Sequence, residues 1–321
     1  MAASIVPADL SLNRTGTAHS MSQNDIQSAQ AIIACAGGVA RQVQARAVMA
    51  YASALPDPQA LFAQIEPPAR LILIHQMGEL HRMPDTDRVE HLEVPRFQLT
   101  RMDQIKMATV MAFSQRILDG GDSFVALTGV AGHPVDTMVV MRVGAEHELF
   151  QTVGQPKIIE HVRRVVFQRV LTIALEIANE GREGKATGAL FVIGSMRELR
   201  KYTEQHIINP FRGYLERERN ILDERLRETI KEFASIDGAF VIKGNGVIVS
   251  AGTTLRPDIG GEDLPQGLGA RHATAAAITA STRSIAITVS ESTGTVRLWR
   301  RGKMLTEIEK APRTPFSAAG Q

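Results

Sequence analysis

Six short apolar runs, each closed off by turn residues, constrain this chain more than any other feature. Leu71-Ile72-Leu73-Ile74, Phe124-Val125-Ala126-Leu127, Met138-Val139-Val140-Met141, Ala189-Leu190-Phe191-Val192-Ile193, Phe240-Val241-Ile242 and Ile285–Val289 are too short for core helices and too apolar for loops. Such runs read as buried strands. Between them apolar residues recur at helical spacing, most clearly at Ile158, Val162, Val165, Val166, Val170, Ile173 and Ile177, which fall on one helix face. Strands alternating with helices predict an α/β protein.

In the first half, Asn24 or Asp25 can cap a helix running towards Leu55, where Pro56 and Pro58 end it. Met102 to Leu118 has helical spacing and stops at Gly120-Gly121, with Met102, Met107 and Met111 as core filler. Arg96, Arg101 and Lys106 read as solvated charges. Gly154-Gln155-Pro156 interrupts the pattern. The expected organisation is a flexible leader over 1–24, a small α/β domain over 25–153, a second domain over 154–308 with a mixed sheet flanked by helices, and a tail over 309–321.

In the second half Gly181 closes the long helix, and Gly194-Ser195 opens another after its strand. Residues 215–233 read as a charged helix with the stripe Ile221, Leu222, Leu226 and Ile230, leading towards Asp237. Gly244-Asn245-Gly246 between two apolar runs predicts a hairpin, because Asn-Gly suits a turn with positive φ. Alanine-rich residues 270–282 should form a helix. Ile285–Val289, the Thr293-Gly294 turn and residues 296–299 give a last strand pair.

The charge balance excludes some functions. With 36 Lys+Arg against 34 Asp+Glu, the net charge of +2 implies no broad nucleic-acid surface. One cysteine, Cys35, rules out an internal disulfide and a cysteine-cluster metal site. No stretch reaches the roughly 18 apolar residues a membrane span needs. The first 24 residues lack a basic start followed by an apolar core, so no secretion signal is expected. A cytoplasmic location fits.

Chemistry concentrates at Asp237-Gly238-Ala239 and Gly267-Leu268-Gly269-Ala270-Arg271-His272-Ala273-Thr274. A short acid can hold a divalent cation, and glycine admits a ligand close to the backbone. A helix start attracts anions through its amides, Arg271 can grip a phosphate with two prongs, and Thr274 adds a hydroxyl. Plainer roles exist for each. Asp237 suits an Asx turn, Arg271 could cap a neighbouring carboxylate, and His272 could fill a core gap. Ser290 and Glu291 end a strand, where ligands or solvent can sit. Thr128-Gly129-Val130-Ala131-Gly132-His133 lacks the Lys and Ser/Thr ending of a phosphate-cradling loop and reads as a tight turn.

Residues 158–305 resemble the diadenylate cyclase catalytic domain. The likeness runs through Gly181-Arg182-Glu183-Gly184, the strand from Gly188 to Gly194, Asn209-Pro210-Phe211, Asp237-Gly238-Ala239, Gly269-Ala270-Arg271-His272 and Ser290-Glu291. The resemblance implies condensation of two ATP molecules into cyclic di-AMP by two copies with facing catalytic domains. It implies that Asp237 holds a catalytic Mg²⁺ or Mn²⁺, with Glu291 completing the metal environment. Gly238, Ala239 and Gly269 would line the nucleotide, and Leu268 would pack near adenine. Arg271, His272, Thr274 and Ser290 would hold phosphates. Two positions depart from the family pattern: Ala273 where a basic residue is frequent, and Ser292 where a second acid commonly follows Glu291. Residues 25–143 resemble the C-terminal domain of pyruvate kinase, through Leu127-Thr128-Gly129 and Thr137-Met138-Val139-Val140, as in archaeal-type diadenylate cyclases, and that likeness implies no DNA-binding domain. A catalytically silent nucleotide sensor and a scaffold for a partner are the competing readings.

Overall fold

Two sheets divide the described residues of this computed structural model, which are 23–79, 83, 86–97, 99–130, 132–144, 161–181, 185–257 and 269–310. The first sheet has the order β3-β2-β1-β4-β5, built from β1 (Ala47–Tyr51), β2 (Arg70–Gln76), β3 (Val89–Val94), β4 (Ser123–Thr128) and β5 (Thr137–Arg142). Strands β1 to β4 are mutually parallel and β5 runs antiparallel to β4. All five residues of β1 are buried, as the centre of a sheet covered on both faces requires.

That strand corrects the expected first helix. Helix α1 (Gln23–Gln42) stops short of Leu55, and Pro58 opens a separate helix, α2 (Pro58–Gln64). Gln44 adopts φ 52, and Ala45 N donates to Ala40 O, a left-handed stop of the kind glycine usually signals. A second hidden stop ends α3 (Arg101–Ser114) before Leu118: Arg116 has φ 59, and Ile117 N reaches back to Ala112 O. Helix α3 is capped by Thr100, whose hydroxyl accepts from Asp103 N at 3.2 Å. Met107 and Met111 are buried as expected of filler, whereas Lys106 pairs with Asp103 and Arg101 with Asp136. Strand β5 is a half-exposed edge, because its outer side has no neighbour in the sheet.

The second sheet has the order β12-β11-β10-β6-β8-β9-β7. Its strands are β6 (Ala189–Gly194), β7 (Thr203–Gln205), β8 (Ala239–Lys243), β9 (Ile248–Leu255), β10 (Ile285–Val289), β11 (Val296–Arg300) and β12 (Lys303–Ile308). Only β6 and β8 pair in parallel. Side chains alternate across it. Phe191, Ile193, Phe240 and Ile287 share a cluster with Val166, Phe167 and Val170 of α4 (Arg164–Glu180). Leu190, Val192, Val241, Ala286 and Trp299 cluster with Ala275, Ala276 and Ile278 of α7 (Ala270–Ser281). Gly181, φ 63, ends α4 where the sequence places its stop.

Residues 215–233 do not form one helix. Single turns at Glu216–Arg219 and Glu224–Leu226 precede a short α6 (Arg227–Phe233). Between the turns Asn220 bridges to Val247, and Ile221 N donates to Gly246 O, drawing the chain across the β8–β9 turn. Strand β12 was not foreseen; it lies antiparallel on β11. Glu309 N donates to Asp103 Oδ1 at 3.2 Å and Lys310 bridges to Leu99, so the first residues of the expected tail are tied to α3 and its approach. At the other end α1 reaches two residues into the expected leader. The turn near residue 155 lies outside the described residues. Gln168 of α4 reaches Ser114 of α3 at 3.3 Å, and Arg164 reaches Gln115 O at 3.2 Å. Among the described residues no helix is long and apolar enough to cross a membrane.

Candidate active site

Strands β6 and β8 begin, and β10 ends, at one end of the second sheet, since Ala189 stands opposite Val289 and Phe191 beside Phe240. Antiparallel pairing on one side and parallel pairing on the other therefore gather Gly188, Asp237-Gly238 and Ser290-Glu291. The first turn of α7 hangs over them. The result is a cleft of about 780 Å³ lined by Asp237, Gly238, Ala239, Gly269, Arg271, His272, Thr274, Ser290 and Glu291. Every residue given a site role from sequence shares this cleft except Leu268, which lies outside the described residues.

Arg271 sits between two acids. Its Nη2 donates to Asp237 Oδ1 at 3.1 Å and its Nη1 to Glu291 Oε2 at 3.2 Å. The Asp237 side chain is fully open to solvent, with a relative exposure of 102%. Ion pairs this exposed hold little stability, about 0–1 kcal/mol, so a charged ligand can exchange with them.

His272 behaves differently. It is 6% exposed, and its Nε2 lies 3.1 Å from Arg297 Nη1. A guanidinium only donates, so Nε2 accepts and the ring proton resides on Nδ1. Burial, then the charges of Arg297 and Arg271, push its pKa down to about 4. The residue is neutral at pH 7. A neutral ring of this tautomer can still donate to a phosphate through Nδ1–H, without adding positive charge.

Residues 176–304 match the family described as DisA bacterial checkpoint controller nucleotide-binding, and residues 28–152 match one described as DacZ_P, a probable sensor domain. A diadenylate cyclase of Haloferax volcanii is 34% identical over 210 residues, covering 64% of this chain and 75% of that protein. The chain belongs to the diadenylate cyclase family. A second member, from Methanocaldococcus jannaschii, is 38% identical over 215 residues, and the chain spans 66% of its length, just under two thirds. Among solved structures, a hypothetical membrane-spanning protein from Bacillus cereus matches at TM-score 0.34 and 20% identity, over 45% of this chain and 63% of that one. DacA from Staphylococcus aureus matches at TM-score 0.33 and 22% identity, over 46% and 87% respectively. A pyruvate kinase from Cryptosporidium parvum matches at TM-score 0.27 and 18% identity, over 36% and 22%.

Within this diadenylate cyclase family member, two residues beside the site were given no role from sequence. Arg297 anchors His272 and donates from Nε to Glu307 at 3.0 Å. A signal existed: Arg297 interrupts the apolar run Val296 to Trp299 two positions before a fully buried tryptophan. Gly188 is the other. A Cβ there would stand 2.7 Å from Arg271 Nη1 and 3.1 Å from Glu291 Cβ, so a side chain would displace the Arg271 bridge. Gly238, at φ 113, is held against the backbone of Gly252, where a Cβ would meet the carbonyl carbon at 2.5 Å.

Ser290 is buried. Its Oγ lies 3.2 Å from Ser292 Oγ and accepts from Thr293 N at 3.4 Å, which ties it into the turn after β10. No group of three or more His, Cys, Asp or Glu able to hold a metal occurs among the described residues. Asp237 and Glu291 supply two carboxylates facing one cleft. That donor set suits Mg²⁺ or Mn²⁺ completed by phosphate oxygens and water, the usual arrangement for a nucleotide-borne cation.

Proposed function

We propose that the protein condenses two ATP molecules into cyclic di-AMP, releasing two pyrophosphates, with two copies placing their clefts face to face. The observation that carries this reading is the convergence of Asp237, Arg271 and Glu291 at the start of α7, in a chain of this family. Each 3′-oxygen attacks the α-phosphorus of the opposite nucleotide, a new P–O bond forms, and the bond to the leaving pyrophosphate breaks. Two such events close a symmetric ring, which a two-fold pair of sites suits.

For each residue the role follows from its surroundings. Arg271 leaves its carboxylate partners for phosphate oxygens and neutralises charge developing there. Amides at the start of α7 add a partial positive charge, and Thr274 and Ser290 offer hydroxyls. His272 serves as a neutral Nδ1–H donor fixed by Arg297, so it orients phosphate and carries no charge to it. Gly238 and Ala239 admit the nucleotide against the backbone, and Leu268 is assigned to the adenine. Asp237, with Glu291, would hold the divalent cation, Mg²⁺ or Mn²⁺. When bound, that ion would screen the triphosphate and acidify the 3′-hydroxyl. Asp237 itself positions the attacking oxygen in line.

A second copy is supported by surface chemistry next to the site. Ile207, Ile208, Tyr214 and Leu215 are exposed on one segment, and Ile207 packs beside Gly252, the backbone partner of Gly238. Clustered exposed apolar side chains mark an interaction surface. The first domain, assigned to 25–153, is read as pyruvate kinase C-terminal-like on its parallel order β3-β2-β1-β4 with β5 antiparallel. A cytoplasmic location fits the ATP substrate.

Incubating the purified chain with ATP and Mg²⁺ or Mn²⁺, then separating the nucleotides by chromatography, tests the reading. Cyclic di-AMP and pyrophosphate are expected. Bound but unconverted ATP would instead establish the sensor reading, which Ala273 and Ser292 favour by removing a base and an acid from the cleft's rim.

A further inference from the structure

The parallel pair β6 and β8 ends, at the side of the sheet away from the cleft, in a second cavity of about 720 Å³. Strand β6 is six residues long, so the two cavities stand roughly 17 Å apart at about 3.3 Å per residue. Gly194 and Ser195 form one wall, and Lys243 to Asn245 form another. The third wall is residues 161–163, the strap that enters α4. Arg163 N donates to Gly244 O at 2.8 Å, and a Cβ on Gly244 would stand 2.0 Å from His161 O. Glycine is therefore required where the strap crosses the end of β8.

Charge at this cavity is one-sided. His161, Arg163, Arg197, Lys243 and Arg283 line it, against the single acid Glu198. Glu198 is already occupied: Arg283 reaches it with its backbone N at 2.9 Å, Nε at 3.0 Å and Nη2 at 2.8 Å. Those contacts hold the Glu198 carboxyl below its ordinary range. Lys243 is neutralised by Glu216. Among the described residues, nothing neutralises Arg163 or Arg197, and both are exposed. Two unmatched guanidiniums lining one cavity, with its single acid already consumed, call for a ligand carrying at least two negative charges. Guanidinium forks match phosphate oxygens two at a time.

We propose that this cavity is a second binding site, taking a small phosphorylated anion through Arg163 and Arg197. Because Arg163 belongs to the strap, occupancy fastens the entry to α4 onto the ends of β6 and β8. The site stands independently of the cyclase reading, since none of its residues lines the first cleft.

Inorganic pyrophosphate is the probe, titrated calorimetrically into the full chain at low salt while Trp299 emission is followed. Trp299 is the only tryptophan and its ring lies 6.1 Å from His272, so its emission reports the first cleft. Two binding events are expected in the unaltered chain. Arg163→Ala with Arg197→Ala should weaken one event at least tenfold and leave the Trp299-reported event unchanged. Arg271→Ala should do the reverse. Among the described residues neither Arg163 nor Arg197 holds another side chain, so the double variant should keep its circular dichroism spectrum. Unchanged calorimetry in the double variant would overturn the proposal, as would a single event abolished by Arg271→Ala. Full recovery of binding with lysine at both positions would also overturn it, because diffuse charge would then suffice.

Discussion

Arg227 and Arg271 each meet two carboxylates, yet they illustrate opposite uses of the same contact. Arg227 donates from Nε to Glu176 at 2.7 Å and from Nη1 to Glu224 at 3.1 Å, and a second prong also reaches Glu176. Glu176 is buried, and so is Lys231, which reaches Glu180 at 2.8 Å and Glu228 at 3.1 Å. Burial would pull the Lys231 amine's pKa down, but Glu180, Glu228 and Glu176 together outweigh it and raise it. Arg271, by contrast, joins two acids that stand in open solvent, Asp237 and Glu291. Removing water from Glu176 and Lys231 makes the first cluster a clamp between α4 and α6. Keeping water makes the second a set of contacts that a ligand can replace.

The largest effect should come from breaking the clamp. Glu176→Ala should cost about 3–5 kcal/mol in urea unfolding, because Arg227 and Lys231 lose a buried partner. A cost under about 1 kcal/mol would erase the contrast between the two clusters. Next comes Asp237→Asn, expected to lower turnover about 10²–10³-fold in a cyclic di-AMP assay. Its unfolding midpoint should stay where it is, since the carboxylate is fully exposed; a fall in midpoint would make Asp237 a structural acid.

His272 lies between the extremes. Its folded pKa, about 4, is below its ordinary value near 6.5, so the unfolded chain binds the extra proton first. Stability tied to this residue is complete above pH 6.5 and declines as pH falls towards 4, by up to about 3 kcal/mol. Urea midpoints at pH 7 and pH 4.5, compared with those of His272→Gln, isolate this loss; equal slopes in both proteins would contradict it. The smallest change expected is in the stability of Arg271→Ala, under about 1 kcal/mol by thermal melting, alongside an ATP affinity weakened about tenfold by calorimetry. A large stability loss would place Arg271 with Arg227 as a fold residue.

Much of the site was legible in sequence because its parts are local. Asp237-Gly238-Ala239 precedes a strand, and Gly269 to Thr274 opens a helix, so each segment announces its own geometry. Where the reading failed, the decisive contact was distant or unmarked. Helices α1 and α3 end at Gln44 and Arg116, which take a left-handed conformation without glycine. Residues 215–233 carry a helical stripe that the bridge from Asn220 to Val247 interrupts. Arg297 lies on a strand two elements beyond His272, and only the pairing of β10 with β11 brings it beneath α7.

Residue order alone determined the alternation of strands and helices, the glycine that stops α4, and the acid and basic segments that could serve a triphosphate, because hydrophobic period and turn chemistry are written within a few neighbours. Tertiary structure decided which charges are clamped and which stay open to a ligand. It buried His272 beside Arg297, left Asp237 in water, and brought Arg163 and Arg197 to one cavity. Those outcomes depend on local dielectric and on partners far apart in the chain, and no stretch of sequence carries either.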